Sequence, residues 1–572
     1  MGETEQSKEQ AFIEETEVRK HNSKQDCWVI IHGKAYDVSS FVDEHPGGSA
    51  VILKYAGRDA TKAFDPIHPS DTLTKYLSPD KHLGPVKKAP RKPHKEAAAK
   101  PTTQEAKHDE ASEEYVDEFD VEYDEQADKK EVPFEKVGVS SAEEGSTTAA
   151  SDAGGDGDDY LDDEDDEDLD EEDIKRREMA RKKPDIGQIY NLNDFEFVAR
   201  HTMDKVAWCY YSSGCDDEIT LRENHLAYQR FYFKPRVMVD VSNIDLSTTM
   251  LGTKTSSPFY ITATALGRLG HPDGEKVLTR AAAKQDIIQM IPTLASCSFD
   301  EIVDQATDSQ TQWFQLYVHA DREICRNLIV HAEKRGVKGL FITVDAPQLG
   351  RREKDMRSKN FEDLSHVQED DEGADRSQGA ARAISSFIDT SLSWKDIKWF
   401  RSVTKMPIVL KGVQTIEDAL IAAEHGVDGI VLSNHGGRQL EFTRPPIELL
   451  SELMPILRKR NMADRMEVYV DGGVRRATDV LKAICLGAKG VGIGRPFLYA
   501  MSTYGDDGVF KAIQILKDEM IMNMRLLGVT SIDQLSPNYI DSRVAPRFIP
   551  EDALFSSVYQ PLVSPPFKES KL

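Results

Sequence analysis

The chain has 572 residues and a formal net charge of −27, which is too long for one domain and lacks the overall basic balance of a nucleic-acid binder. The excess is local: residues 101–175 hold 31 Asp and Glu against 5 Lys and Arg, a net −26, so the rest is nearly neutral. No run of about 18 apolar residues occurs, so no membrane-spanning helix is expected. The six cysteines (Cys27, Cys209, Cys215, Cys297, Cys325 and Cys485) show neither CxxC nor metal spacing, as expected of reduced thiols in an intracellular protein. The first twenty residues are Glu-rich, unlike a secretory or mitochondrial leader.

Residues 10–88 read as a small compact domain. Cys27-Trp28-Val29-Ile30-Ile31 and Lys34-Ala35-Tyr36-Asp37-Val38 flank His32-Gly33, the pattern of a hairpin. His45-Pro46-Gly47-Gly48 and Asp65-Pro66-Ile67-His68-Pro69 follow as turns. Two turn-borne imidazoles beside an apolar pocket suit a six-coordinate haem, although His21, His32 and His82 show that histidines are simply common here. The segment resembles the cytochrome b5 family in its HPGG turn, its later histidine and its two strands. That resemblance implies haem b with His45 and His68 as axial ligands. With both axial positions filled by protein, the iron would carry electrons rather than activate oxygen.

Residues 89–185 lose all periodicity and become strongly acidic toward Asp158–Glu167. Such a composition buries too little apolar surface to offset ordering entropy. A flexible tether is expected, spanning ~50 Å or more; a docking site for a basic partner is the rival reading.

From 186 to 550 short apolar runs alternate with helical stretches, as repeated βα units do. Eight candidate strands lie at 258–263, 287–291, 312–317, 339–344, 407–411, 429–432, 467–470 and 490–493. They predict an α/β protein built on a (β/α)8 barrel. The stretch from Ile189 to Leu251 is expected to close the barrel's underside or lie beside it.

In such a barrel the functional residues sit where the strands stop. Those positions read Thr264-Ala265, Gln315 and Tyr317, Thr343 and Asp345, Lys411, Ser433 through Arg438, Asp471-Gly472-Gly473, and Gly494-Arg495. In Ser433-Asn434-His435-Gly436-Gly437-Arg438 an imidazole base is followed three residues later by a guanidinium, an arrangement suited to proton transfer beside an anion. The glycines and arginines after strands seven and eight predict a phosphate cradle.

These motifs, with Tyr210-Tyr211-Ser212-Ser213-Gly214, resemble the FMN-dependent α-hydroxy-acid oxidising enzymes over about 190–550. The resemblance implies that His435 is the base and Asp345 supports its imidazolium. Arg438 would grip the substrate carboxylate, assisted by Arg352 and Tyr210, with Tyr317 at the hydroxyl. Ala265 and Leu294 would leave a pocket for a methyl side chain. Lys411 would place its charge against the flavin. Thr264, Ala265, Gln315, Thr343 and Ser433 would contact flavin or ribityl chain, and Asp471, Gly473, Arg475, Gly494 and Arg495 would hold ribityl and phosphate. Pro292 stands where the family has a flavin-contacting Ser, and proline offers neither hydroxyl nor N–H. A polar insertion from Lys354 to Asp375 is expected to be a mobile loop over the rim.

The expected function is oxidation of L-lactate, or a similar small L-2-hydroxy acid, with electrons passing from FMN to haem b to a one-electron cytochrome acceptor. The alternative is a peroxisomal hydroxy-acid oxidase using oxygen. The tail, 551–572, ends in Ser570-Lys571-Leu572, a peroxisomal address read by an import receptor; the other compartments considered are the cytoplasm and the mitochondrial intermembrane space. A non-enzymatic haem protein on an inactive barrel would require loss of His435, Asp345, Arg438 or Lys411, and all four are present. The family resemblance also implies a homotetramer.

Overall fold

The protein is described from a computed structural model over residues 12–42, 45, 49–69, 71–87, 171–358 and 388–542. The Pro46-Gly47-Gly48 part of the first histidine turn, the acidic tract up to 170, most of the 354–375 insertion and the Ser570-Lys571-Leu572 tail lie outside these residues.

The N-terminal unit is a five-stranded sheet in the spatial order Ile13–Glu14, His82–Lys87, Lys34–Asp37, Asp26–Ile31, Asn22–Ser23. The expected hairpin forms, with Trp28 opposite Asp37 and Ile31 opposite Lys34. Side chains alternate along a strand. Cys27, Val29 and Ile31 therefore enter the core together, where Phe41, Phe64 and Leu73 pack on them. Ile30 points the other way, onto Val18 and Ala35.

The second unit is a closed eight-stranded parallel barrel. Its strands run Phe259–Ile261, Gln289–Ile291, Gln312–Leu316, Leu340–Thr343, Ile408–Val413, Gly429–Leu432, Glu467–Asp471 and Gly490–Ile493, each within or overlapping an expected run. Parallel strands buried on both faces need apolar residues throughout. Thus Phe341, Val431 and Tyr469 fill the interior with Tyr260 and Trp313, while Leu340, Ile342, Ile430 and Leu432 face the helices. The barrel is a packed core, with Tyr260 and Trp313 ring centroids 5.0 Å apart in an edge-on contact.

The stretch before the barrel serves both of its ends. The hairpin of Thr248–Met250 and Thr253–Thr255 covers the underside. Met250 joins the interior cluster, and the Leu251 N–H donates to Glu467, the first residue of strand seven, at 2.9 Å. Helices Leu192–Thr202, Lys205–Ser212 and Ile219–Leu226 instead run to the opposite rim. The expected position was therefore half of the arrangement. A second difference lies in the stretch read as structureless to 185: Glu171–Arg181 is a helix. Arg176 fastens it by donating to the carbonyls of Arg200 (2.7 Å) and Met203 (3.1 Å), contacts that composition does not announce.

Candidate active site

The sixth strand ends at Leu432, and the chain then makes three consecutive residues with positive φ: His435 (58°), Gly436 (64°) and Gly437 (77°). A non-glycine residue held there is strained, and such strain gathers where a side chain must be aimed. The His435 N–H is caught by the Ser433 hydroxyl at 3.0 Å. Its ring lies between two partners, Nδ1 at 3.1 Å from Asp345 Oδ1 and Nε2 at 3.1 Å from the Tyr317 hydroxyl. Asp345 reaches this point across Gly412 (φ 112°), where a Cβ would stand 2.5 Å from the Asp345 Cγ. Only glycine accommodates that approach.

Electrostatics keep the pair poised. Burial pushes His435 below the ordinary imidazole range; Asp345 pulls it back up and Lys411 pushes it down again. Burial would raise the Asp345 carboxyl, but the His435 charge and hydrogen bond, with Lys411, hold it below its usual range. Burial raises the Tyr317 hydroxyl, so it stays protonated. The Asp345 side chain is fully covered, whereas His435 keeps 20 % exposure, so the imidazole alone faces a ligand.

Arg438 spends Nη1 on the carbonyls of Tyr210 (2.8 Å) and Ser213 (3.0 Å) and lies over the Tyr210 ring at 5.1 Å. Arg352 lies over the same ring at 5.8 Å. Burial, then the charge of Arg352, pushes Arg438 down to about 9, and Arg495 adds to this. Crowded, buried guanidinium groups call for an anion.

The rim residues singled out from the sequence line one cleft of about 1140 Å³, partly open to solvent, except Asp345, Ser433, Asn434 and Gly437. Pro292 lines it as well. Beside it the Thr293 N–H donates to Gln315 Oε1 at 3.2 Å, and Gln315 Nε2 donates to Thr343 at 2.8 Å. Lys411 Nζ lies 3.6 Å from Asp471. Arg475 pairs with buried Glu196 at 3.1 Å, and Arg495 donates to the carbonyls of Tyr211, Ser213 and Gly436 at 2.9–3.0 Å.

Three buried polar atoms on the cleft have no partner among the described residues: the Thr262 and Thr264 hydroxyls and Asp471 Oδ1. Buried polar atoms are seldom left so, and a flavin with its ribityl chain offers both donors and acceptors there. Gly473 (φ 78°) lies so close to the Asn224 carbonyl that a Cβ would be 2.1 Å away, leaving bare backbone beside the arginines. The cleft therefore fits FMN.

In the N-terminal unit the His45 and His68 rings are 6.0 Å apart between centroids. A metal–imidazole bond is about 2 Å, so two facing nitrogens about 4 Å apart can share one iron; the ring spacing matches. His68 Nδ1 lies 3.0 Å from the Phe64 carbonyl, which fixes the tautomer and leaves Nε2 available to a metal. Phe64 stacks on His68 at 4.4 Å, giving the pocket an apolar wall. The pair fits haem.

Other residues of the site carry little signal of their own in the sequence. Gln439 ties the strand-four loop to the catalytic turn by donating to the Asp345 and Gln348 carbonyls at 2.9 and 2.8 Å; its position directly after Arg438 was the one available hint. Asn224 and Asn434 exchange two amide hydrogen bonds of 2.7 and 2.8 Å, locking the turn to the helix before the barrel. All six cysteines are free thiols, and among the described residues no helix is long and apolar enough to cross a membrane.

Comparison with known proteins agrees with this architecture. Residues 199–542 match the FMN-dependent dehydrogenase family and residues 14–87 the cytochrome b5-like heme/steroid binding domain. L-lactate dehydrogenase (cytochrome) of Wickerhamomyces anomalus is 51% identical over 96% of this chain and 84% of its own. The Saccharomyces cerevisiae enzyme of the same name is 47% identical over 96% and 83%. The flavin-binding domain of baker's yeast flavocytochrome b2 superposes with a TM-score of 0.61 at 52% identity, covering 70% of this chain and all of that one. A peroxisomal (S)-2-hydroxyacid oxidase of Arabidopsis thaliana is 42% identical but spans only 62% of this chain. This overturns the peroxisomal expectation drawn from the last three residues: the whole-chain relatives are cytochrome-linked dehydrogenases, and a tripeptide weighs little against that. The chain belongs to the FMN-dependent dehydrogenase family, in the two-domain form that carries a cytochrome b5-like haem domain ahead of its barrel.

Proposed function

We propose that the protein oxidises L-lactate, or a similarly small L-2-hydroxy acid, to the 2-keto acid and delivers the electrons to a cytochrome. The observation that carries this reading is the single cleft in which His435, backed by buried Asp345, stands with Tyr317 and the Arg438–Arg352 anion clamp. Arg438, whose outer donors form a planar fork, binds the substrate carboxylate. Arg352 and Tyr210 support it. Tyr317 holds the substrate hydroxyl, and His435 Nε2 takes the proton while Asp345 Oδ1 steadies the resulting imidazolium. Ala265 and Leu294 receive the methyl side chain. Bound FMN supplies a two-electron acceptor, and bound haem a one-electron relay toward the acceptor protein. Lys411, Gln315, Thr343, Thr264 and Ser433 are assigned to the flavin and its environment, and Asp471, Gly473, Arg475, Gly494 and Arg495 to the ribityl-phosphate. A soluble cytochrome acceptor suits a compartment such as the mitochondrial intermembrane space. The reading extends to a homotetramer, which sedimentation of the purified protein tests.

The decisive experiment is an anaerobic visible spectrum before and after addition of L-lactate. Bleaching of the flavin followed by reduced-haem bands is expected; bleaching with the haem left oxidised would overturn the electron route. His435→Gln should slow bleaching by roughly 10²–10⁴-fold, the range for loss of a general base, with FMN still bound. A near wild-type rate would remove His435 from the role.

A further inference from the structure

Glu275 opens the helix Glu275–Lys284, is wholly buried, and takes no part in the chemistry above. Its carboxylate accepts four hydrogen bonds. One oxygen takes the N–H groups of Gly267 (2.7 Å) and Ser296 (3.0 Å). The other takes the Ser296 hydroxyl (2.9 Å) and the Cys297 N–H (3.2 Å). Ser296 Oγ in turn accepts the Arg268 N–H at 2.8 Å. An acceptor-only group with four converging donors is fully satisfied.

The donors come from two loops, one after the first barrel strand and one after the second. Ala265 precedes Gly267 by two residues, and Leu294 precedes Ser296 by two. Both line the cleft beside Tyr317 and Arg438. Between them the Leu266 N–H donates to the Leu294 carbonyl at 3.2 Å. Leu266 itself sits at φ 59°, a conformation that a leucine keeps only when its surroundings hold it. A buried apolar residue would serve packing alone; a carboxylate that gathers both loops fixes their separation.

We infer that Glu275 is a positioning residue for substrate size: by clasping the two loops it sets the gap between Ala265 and Leu294, and so the side chain the site admits. The inference rests on the proposed function, which makes those two residues the side-chain pocket. In Glu275→Gln an NH2 group replaces one oxygen and cannot accept the N–H groups on that side, so either the Gly267–Ser296 bridge or the Cys297 bond is lost. The clasp weakens and the pocket widens.

The test uses the full FMN-loaded chain and anaerobic flavin bleaching with L-lactate and with L-2-hydroxybutyrate, one methylene longer. For Glu275→Gln the ratio of kcat/KM values, lactate over hydroxybutyrate, should fall by about tenfold, the order of discrimination one methylene provides. The change should lie mainly in KM. Dissociation constants of pyruvate and 2-oxobutyrate, read from the flavin spectrum, should shift in the same sense. Ser296→Ala, which keeps the two N–H bonds to the other oxygen, should show a smaller fall and decides the matter if Glu275→Gln does not hold FMN. Wild-type selectivity in an FMN-loaded variant that turns over lactate overturns the inference alone. A wild-type chain whose flavin no 2-hydroxy acid bleaches overturns the proposed function, and this inference with it.

Discussion

At the scale of single residues, the surroundings of His435, the proposed base, favour its neutral form. Burial and Lys411 disfavour its proton more than Asp345 favours it, so its pKa lies below 6.5. The base is then available at neutral pH, and the acid limb of the flavin-reduction profile should fall below pH 6.5. Asp345→Asn removes the one strong upward influence, so the limb should move lower still. The rate should drop roughly 10²–10⁴-fold as the ring loses its orienting carboxylate; stopped-flow reduction across pH reads both. The same shifts bear on stability with the same sign, in two separate pH windows. A His whose folded pKa is depressed costs stability as pH falls through its unfolded value, near 6.5. Depressed Asp345 stabilises above its unfolded value, near 3.8, and that contribution is lost on further acidification. Arg438→Lys keeps the charge but not the fork that holds two carbonyls and, in the proposed reaction, the substrate carboxylate. KM for lactate should rise roughly 10- to 100-fold, the value of one or two hydrogen bonds to a charged group, as steady-state kinetics would show.

At the scale of elements, the strands were legible because burial on both faces leaves a run such as Gly429-Ile430-Val431-Leu432 almost no polar choice. The helix Glu171–Arg181 was not legible. EEDIKRREMAR reads as a solvated charge run, and what orders it is Arg176 reaching carbonyls at 200 and 203. Buried carboxylates hid for the same reason. Glu196 and Glu275 look like surface residues until the partners 279 and 8 positions away are in place. Glu196→Gln should therefore cost about 3–5 kcal/mol, the cost of stripping a buried charge of its counter-ion. A lowered denaturant midpoint at unchanged slope is the expected readout. Gly412→Ala, with its Cβ 2.5 Å from the Asp345 Cγ, should displace that carboxylate and reproduce much of the Asp345→Asn loss of rate while FMN stays bound.

At the scale of the whole molecule, two sites with separate chemistry sit on one chain, and their separability is measurable. His68→Ala should abolish haem binding. The flavin should still bleach with lactate at near wild-type rate, while reduction of an added cytochrome should fall to background; loss of bleaching would show that the barrel depends on the haem domain. The rim residues could be read from sequence because each stands at a strand end. The frame that joins them could not, since it consists of contacts across hundreds of residues. Arg495 shows what that implies. It binds carbonyls of residues 211, 213 and 436, separated from it by up to 284 positions. During synthesis the floor of the cleft is thus missing a corner until the eighth strand has left the ribosome. Cofactor capture becomes a signal that translation of the barrel is complete, and a chain stopped short of residue 495 should emerge colourless in its flavin half, however much of the barrel it has already folded.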